Sequence, residues 1–228
     1  MYSAIILCAG SGKRTGLGYN KMFYQLQGET VYEKTVNVFL KDKRCEEIII
    51  VCKKEEQAHF KKLLNKKCMK FVEGGKERQD SVYEGLKHVT SEYVMIHDGA
   101  RPFVKKDLLD RLVVAMEKHK AVLAMVPCKD TIKRVKNGKV VETLVRSELM
   151  QAQTPQAFNT SLIRNAYREA IEKNIQATDD ASMLEITGKD VYVVEGDYDN
   201  IKITTKEDLR LKWWKKPHFI IAFFILLC

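Results

Sequence analysis

Short apolar runs alternate with amphipathic stretches along most of the chain. The runs are apolar on both faces, which is typical of strands buried inside a parallel sheet. The stretches between them have helical spacing, and 105–119 places Leu108, Leu112 and Met116 on one face. The predicted strands are 3–8, 47–52, 69–72, 92–97, 121–127 and 190–194, and the predicted helices are 31–40, 55–65, 76–89, 105–119, 160–173 and 180–187. This order predicts an α/β fold, a mostly parallel twisted sheet with helices on both faces.

The alternation breaks at about 129–150. Two polar, alternating segments flank Asn137-Gly138, a pair that favours a tight hairpin turn. Both segments are too polar for a central strand, so the sequence predicts a β-hairpin arm that protrudes and needs a partner surface. No repeat or linker divides the rest of the chain, and we expect one domain over 1–212 that includes the arm.

The composition and net charge of the chain indicate which kinds of ligand it binds. The 228 residues are 45% hydrophobic and 30% charged, so the chain can bury a sizeable core. The net charge of +9 favours polyanionic ligands. Basic residues are spread among acidic ones without a block of like charges, which argues against nucleic acid and favours small phosphorylated metabolites.

The two ends of the chain and its cysteines bear on location. The six cysteines form no CxxC pair, and the N-terminus lacks a basic region before its apolar run. We therefore expect free thiols and a cytoplasmic protein. The segment 213–228 ends in an apolar run that is about half the length needed to span a bilayer, so membrane insertion is not expected. An interfacial anchor, a docking strand and a frame error replacing a last helix remain open, and we favour the last.

A glycine-rich turn follows the first predicted strand. Glycines allow a phosphate to approach backbone N–H groups, and Arg14 and Lys21 add positive charge. The turn matches neither the GxxxxGK[ST] nor the GxGxxG pattern. A surface turn with solvated basic side chains therefore remains the alternative.

Two further segments have the composition of ligand-binding turns. Residues 74–81 are a glycine turn that opens a helix, and the N-terminus of that helix suits the binding of an anion or a base edge. The alternative is a plain turn with surface polar residues. Asp98 follows strand 92–97, and ligands of open parallel sheets bind beyond the carboxyl ends of strands. A carboxylate there suits Mg²⁺ or a ribose hydroxyl, or caps the turn. We interpret His97 as a packed strand-end residue.

Together these segments resemble the 2-C-methyl-D-erythritol 4-phosphate cytidylyltransferase family. The matching motifs are AGSGKR…NK, GGKERQDSV, HDGARPF, DTIKR, QTPQAF, TDDAS and VEGDYDNIKITTKEDL. They occur in family order over nearly all of 2–210. The resemblance implies a Rossmann-like nucleotidyltransferase fold, CTP as substrate, a requirement for Mg²⁺, and a homodimer with interlocking hairpin arms. It also implies transfer of CMP to the erythritol phosphate in non-mevalonate isoprenoid biosynthesis.

The resemblance also implies roles for individual residues. Arg14 and Lys21 match the cations that stabilise the transition state. The matches to acceptor-positioning residues are Arg146, Lys202, Thr131 and Thr178, although each lies in a segment that, taken alone, is typical of a surface. The nucleotide-binding candidates are Ala9, Gly10, Ser11, Gly12, Gly75, Ser81, Asp98 and Gly99, and Asp98 is also the metal candidate.

The chain departs from the family pattern near the glycine-rich turn. Asn20 and Met22 stand where the family usually has proline and glutamine, and Gly99 stands where alanine is usual. Three alternatives remain open: a ribitol 5-phosphate cytidylyltransferase, a non-catalytic nucleotide-binding protein on the same fold, and a membrane-surface protein that uses 213–228. The TDDAS and HDGARP segments favour the erythritol acceptor.

Overall fold

The computed structural model describes residues 1–10 and 12–210. The strands are β1 (Tyr2–Leu7), β2 (Gln25–Leu26), β3 (Glu29–Thr30), β4 (Cys45–Cys52), β5 (Met69–Glu73), β6 (Tyr93–Asp98), β7 (Ala121–Pro127), β8 (Lys133–Lys136), β9 (Lys139–Thr143), β10 (Met150–Asn159) and β11 (Tyr192–Glu195). The helices are α1 (Val31–Leu40), α2 (Gln57–Leu63), α3 (Arg78–Leu86), α4 (Lys106–Met116), α5 (Thr160–Glu172), α6 (Asp180–Ile186) and α7 (Lys206–Arg210). Each strand and helix predicted from the hydrophobic pattern is present.

Seven strands form one mixed sheet in the order β11-β7-β10-β6-β1-β4-β5. β1 pairs in parallel with β4 on one side and with β6 on the other. The chain first builds outward from β1 to β4 and β5 and then returns to place β6 on the opposite side. The order of the strands therefore reverses at β1, and such a reversal opens a crevice at the carboxyl ends of the strands.

Helices cover both faces of this sheet, as the sequence predicted. Alternate residues of β1 point to opposite faces, so that Ala4 and Ile6 belong to one buried cluster and Ile5 to the other. The first cluster contains the apolar faces of α1, α2 and α4, and the second contains those of α3, α5 and α6. Both faces of the sheet are therefore packed against helices, and the loops at its carboxyl edge are left to bind ligands.

Strand β10 was not predicted. It runs antiparallel between β6 and β7, and its pairing with β7 is irregular between Ala152 and Gln156. The segment contains Gln151, Gln153 and Pro155, and polar residues with a proline argue against a central strand. The irregularity accommodates the proline, and hydrogen bonds of the buried side chains of Gln153 and Gln156 offset their polarity.

The predicted arm is a separate two-stranded sheet made by β8 and β9. Every residue of both strands is exposed. Asn137 and Gly138 both have positive φ, as a tight hairpin turn of this kind requires. Several valines along the arm are more than half exposed, and they are Val135, Val140, Val141 and Val145. The arm thus presents apolar surface that residues 1–10 and 12–210 do not cover.

Two further features are the length of the apolar helices and the state of the cysteines. No helix within 1–10 and 12–210 combines the length and the apolar composition needed to cross a bilayer. The five cysteines in the same part of the chain are free thiols. The sixth, Cys228, and the apolar segment 213–228 lie outside the described residues.

Candidate active site

A cleft of about 490 Å³ opens at the carboxyl ends of β1 and β6, where the order of the strands reverses. It is bounded by the glycine-rich loop after β1, the glycine turn and first turn of α3, and the segment after β11. Its lining residues are Leu7, Cys8, Ala9, Gly10, Arg14, Asn20, Lys21, Met22, Lys53, Gly74, Gly75, Lys76, Glu77, Arg78, Ser81, Asp98, Ala100 and Lys202. A cleft of this size suits a nucleotide.

The glycine-rich loop folds back over the cleft through local hydrogen bonds. Gly12 has a φ of +64°, and its carbonyl accepts hydrogen bonds from the backbone N–H and the hydroxyl of Thr15. A side chain at Gly12 would lie 3.2 Å from the carbonyl oxygen of Tyr19 and 3.3 Å from the amide nitrogen of Lys21. Glycine is therefore needed here for both the backbone conformation and the close approach of the loop to the lysine.

Asn20 holds the loop in place of the proline usual in the resembled family. Its backbone has φ −63° and ψ 120°, which proline would also adopt. Its amide group donates to the Cys8 carbonyl (2.9 Å) and to Glu56 (2.8 Å), and its Oδ1 accepts from the Met22 amide (3.1 Å). These bonds fix the loop that the proline would stiffen, so its loss does not leave Lys21 on a loose segment.

Positive charge dominates the cleft. Six basic side chains line it, against the carboxylates of Glu77 and Asp98. The pKa of Lys21 is lowered by burial first and then by the positive charges of Lys202 and Arg14. The Lys21 ammonium donates to the Ile203 carbonyl at 2.8 Å, which joins the glycine-rich loop to the segment that carries Lys202. The cleft therefore concentrates cations that a polyanion would neutralise.

Asp98 lies between two of these cations. Its Oδ2 is 2.6 Å from the Lys202 ammonium, and its Oδ1 is 3.3 Å from Nε of Arg78. Burial alone would raise the pKa of Asp98, but the positive charges of Arg78 and Lys202 outweigh it and hold the pKa well below its usual value. Asp98 is thus a fixed negative charge near neutral pH.

Arg78 extends this ion pair into the core. Its guanidinium makes two hydrogen bonds to Asp180, at 2.9 and 2.8 Å, and the Tyr167 hydroxyl donates to the same carboxylate at 2.5 Å. The side chain of Asp180 is completely buried. The two carboxylates favour the charged guanidinium strongly enough to overcome the effect of burial, and the pKa of Arg78 is raised. Arg78 therefore links the cleft to α5 and α6.

Gly99 lies directly beneath the cleft. A side chain there would lie 2.8 Å from the Leu7 carbonyl oxygen, 2.8 Å from Cε of Met22 and 3.0 Å from Sγ of Cys8. Met22 is almost completely buried, so its terminal methyl cannot move freely into solvent. Glycine at 99 thus leaves the space that Met22 fills, and the two departures from the resembled family are a packing pair.

Gly99→Ala is expected to lower the free energy of unfolding by about 1–3 kcal/mol, because the added methyl overpacks this region. Urea unfolding would measure the change. Gly10→Ala is the matched control, since a side chain at Gly10 meets no atom within 4 Å. Equal stabilities of the two variants would show that Met22 and its neighbours move aside without cost.

Comparison with known proteins identifies the family. The model of the 2-C-methyl-D-erythritol 4-phosphate cytidylyltransferase family matches residues 2–213. The chain belongs to this family. It is therefore a CTP-dependent cytidylyltransferase of non-mevalonate isoprenoid biosynthesis, as the sequence predicted.

Individual relatives agree with this assignment. The chain is 48% identical over 214 residues to the 2-C-methyl-D-erythritol 4-phosphate cytidylyltransferase of Bacillus mycoides, covering 92% of this chain and 95% of that protein. Among solved structures, it resembles 4-diphosphocytidyl-2C-methyl-D-erythritol synthase of Anaerococcus prevotii, with a TM-score of 0.83, 36% identity, and coverage of 93% and 96% of the two chains. It also resembles the cytidylyltransferase of Francisella tularensis, with a TM-score of 0.81, 30% identity, and coverage of 93% and 98%. The Rossmann-like nucleotidyltransferase fold is thereby confirmed.

Most of the candidate residues of this cytidylyltransferase meet at the cleft. Those that line it are Ala9, Gly10, Arg14, Lys21, Gly75, Ser81, Asp98 and Lys202. Gly12 and Gly99 are outside the lining and act through backbone conformation and packing. Ser11 lies outside the described residues.

Three acceptor-positioning candidates do not line the cleft of their own chain. Thr131 and Arg146 are exposed at the arm, and the Arg146 guanidinium donates to the Lys129 carbonyl at 3.1 Å. Thr178 is exposed just before α6, with its hydroxyl 3.4 Å from that of Ser182. Arg146 therefore does not join Arg14, Lys21 and Lys202 in the cleft of a single chain.

The sequence candidates did not include several polar lining residues, among them Asn20, Lys53, Lys76 and Arg78. Arg78 and Lys76 belong to the 74–81 turn, whose composition predicts ligand binding, so their position was a usable signal. The role of Arg78 was not visible, because its partner Asp180 lies 102 residues away. Lys53 directly follows β4, at the same carboxyl edge of the sheet as the loop after β1.

Proposed function

We propose that this cleft transfers CMP from CTP to 2-C-methyl-D-erythritol 4-phosphate and releases pyrophosphate. The gathering of six basic side chains at the carboxyl ends of β1 and β6 supports this role most directly. A reaction between two polyanions needs such a field, because their mutual repulsion must be offset before the reacting atoms meet.

The acceptor phosphate attacks the α-phosphorus of CTP in line, and pyrophosphate leaves on the opposite side. A phosphate monoester is already ionised at neutral pH, so no general base is required. His97, which precedes Asp98, is fully buried and has both ring nitrogens in hydrogen bonds, which makes it unsuitable as a base. Catalysis then depends on positioning and on electrostatic stabilisation of the charge that develops on the phosphate oxygens.

The residues of the cleft divide this work between them. Arg14 and Lys21 neutralise charge on the phosphates of CTP in the transition state. Lys202, held 2.6 Å from Asp98, presents its ammonium to the acceptor phosphate. The backbone of the loop after β1 and the N-terminal turn of α3 supply N–H donors for nucleotide oxygens.

Asp98 also fits a role in holding Mg²⁺. In nucleotide sites this ion is usually held by one or two carboxylates together with phosphate oxygens of the substrate. Asp98 offers one ionised carboxylate at the cleft, while no group of three or more His, Cys, Asp or Glu side chains suited to a metal occurs within 1–10 and 12–210. The donor set therefore fits an ion held mainly by substrate, which would withdraw charge from the phosphates when bound.

A second copy of the chain would complete the acceptor site. Thr131 and Arg146 lie at an exposed arm whose valines no described residue covers, and they do not line the cleft of their own chain. We propose a homodimer in which each arm packs on the partner and presents Arg146 to the partner's acceptor phosphate. Thr178, exposed before α6, would face the same acceptor.

Mixing two variants, each of which lacks one residue of the site, tests this arrangement. In a dimer of one Lys21→Ala chain and one Arg146→Ala chain, crossing arms would leave one site with both native residues. Random assembly of equal amounts should then recover about a quarter of the wild-type activity. If each arm serves its own cleft, every site would lack one of the two residues and mixing would recover nothing.

The activity itself is tested by pyrophosphate release. CTP, UTP, GTP and ATP would each be paired with methylerythritol phosphate and with ribitol 5-phosphate. The proposal predicts the highest kcat/KM for CTP with methylerythritol phosphate. A preference for ribitol 5-phosphate would support a ribitol 5-phosphate cytidylyltransferase. No pyrophosphate release with any pair of substrates would support a non-catalytic nucleotide-binding protein.

The free thiols in the described part of the chain fit a reducing compartment, and we propose a cytoplasmic location. Cell fractionation tests this proposal. Recovery of the protein with the membranes would contradict it and would direct attention to 213–228.

A further inference from the structure

Thr154 on β10 contacts both chain segments that carry the central ion pair of the cleft. It is buried, and it lies within the irregular part of the pairing between β10 and β7. Its hydroxyl faces the turn that carries Asp98, and its carbonyl faces the segment that carries Lys202. Thr154 itself does not line the cleft, so it can affect the cleft only through other residues.

The hydroxyl of Thr154 is one link in a directed chain of hydrogen bonds. The Asp98 amide donates to Oγ1 of Thr154 at 3.0 Å, and Oγ1 lies 3.1 Å from Nδ1 of His97. The Arg101 carbonyl beside Nε2 of His97 can only accept, so Nε2 carries the single hydrogen of the neutral ring and Oγ1 of Thr154 donates its own hydrogen to Nδ1. Nδ1 is then the unprotonated nitrogen of a neutral imidazole.

The tautomer assigned in this way completes the chain. Nε2 of His97 carries the ring hydrogen and donates it to the Arg101 carbonyl, which lies 3.2 Å away. His97 is fully buried, so water does not compete for either nitrogen. The three hydrogen bonds span the turn from Asp98 to Arg101 and fix its path at the end of β6.

The carbonyl of Thr154 holds the other half of the ion pair. Nδ2 of Asn200 donates to it at 2.8 Å, and the backbone carbonyl of Asn200 accepts from the Arg101 guanidinium at 2.7 Å. Three residues further on, the Ile203 amide donates to the Ala100 carbonyl at 2.8 Å. The segment 200–203, which contains Lys202, is thus fastened to both β10 and the turn after β6.

We propose that Thr154 is a positioning residue for nucleotidyl transfer. Its hydroxyl orients the Asp98 turn through His97, while its carbonyl holds the Lys202 segment through Asn200. Together these contacts set the 2.6 Å approach of Lys202 to Asp98. The inference rests on the proposed function only in the kinetic part of its test.

Thr154→Val removes the hydroxyl and preserves the shape of the side chain. The buried Asp98 amide and Nδ1 of His97 then lose their partner, and the turn must shift to satisfy them. We expect kcat to fall by about 10- to 100-fold and the acceptor KM to rise, because a small displacement of a positioning group costs this much. The KM for CTP should change less. Thr154→Ser keeps the hydroxyl and should have kcat and acceptor KM close to those of the wild type.

The tautomer of His97 gives a readout that does not depend on activity. Nitrogen-15 NMR of the wild-type protein should show His97 with a protonated Nε2 and an unprotonated Nδ1, and Thr154→Val should change this spectrum while Thr154→Ser retains it. A protonated Nδ1 in the wild type would overturn the inference, even if Thr154→Val fails to fold.

The kinetic outcomes separate this inference from the proposed function. If the wild type is active and folded Thr154→Val has unchanged kcat and acceptor KM, the inference fails and the function stands. A Thr154→Ser enzyme as impaired as Thr154→Val also overturns it, since the hydroxyl would not be the determinant. If the wild type shows the expected tautomer but no transferase activity, the proposed function fails while the hydrogen-bond chain stands.

Discussion

Lys21→Ala is expected to lower kcat on the order of 10²-fold or more, as does the loss of a single preorganised donor in other active sites. Lys21 is partly buried in the cleft, and the positive charges of Lys202 and Arg14 lie close enough to lower its pKa further. A lysine ammonium in such a site is stabilised strongly when a phosphate binds next to it and neutralises its charge. Steady-state pyrophosphate release at saturating substrates measures the effect.

Two variants separate the role of Lys21 from a general loss of charge. Lys62→Ala removes an exposed lysine on α2 and should leave kcat unchanged. Lys21→Arg keeps the charge with a different shape and should retain more activity than Lys21→Ala. Turnover by Lys21→Ala at the wild-type rate would exclude Lys21 from the transition state.

Arg78→Ala is expected to lower the free energy of unfolding by about 3 kcal/mol, since removing one partner of a buried ion pair leaves an uncompensated charge. That charge is the completely buried carboxylate of Asp180, which would keep only the Tyr167 hydroxyl. The Arg78 side chain is itself about one-third exposed, which places the effect at the lower end of the usual range. Urea unfolding measures the loss.

Lys87→Ala is the matched control, because it breaks an exposed ion pair with Glu84 at the end of the same helix, α3. It should lower the free energy of unfolding by about 0.5 kcal/mol or less. Adding Asp180→Asn to Arg78→Ala should recover part of the stability, since a neutral amide is less costly to leave unpaired. A loss for Arg78→Ala no larger than that for Lys87→Ala would mean that water reaches Asp180 and replaces the guanidinium.

The sheet and its helices could be predicted because burial on two faces leaves a direct trace in the sequence. Ile48, Ile49 and Ile50 form a continuous apolar run since neighbouring residues of β4 face different helical layers. The same logic failed for β10. There two of the buried side chains, Gln153 and Gln156, are polar and form hydrogen bonds with residues 44 and 25 positions away, and no local pattern records that.

The candidate site likewise contains parts that a local sequence pattern predicts and parts that depend on distant contacts. The loop after β1 and Asp98 were predictable, because glycines and a carboxylate at the ends of strands have few other uses together. The protruding arm that carries Thr131 and Arg146 was also predicted, but their absence from the cleft of their own chain was not, because no local pattern records how far an arm lies from a cleft. The compensation between Met22 and Gly99 was equally hidden, because it depends on a contact of a few ångströms between residues 77 positions apart.

The stereochemistry of the transfer tests the central claim most directly. CTP with one sulfur of known configuration on its α-phosphorus would be converted to product with methylerythritol phosphate, and the configuration at phosphorus would be determined. A cleft that only positions and neutralises two phosphates predicts a single in-line displacement, and therefore inversion. Retention of configuration would require an enzyme-bound intermediate and would contradict the account.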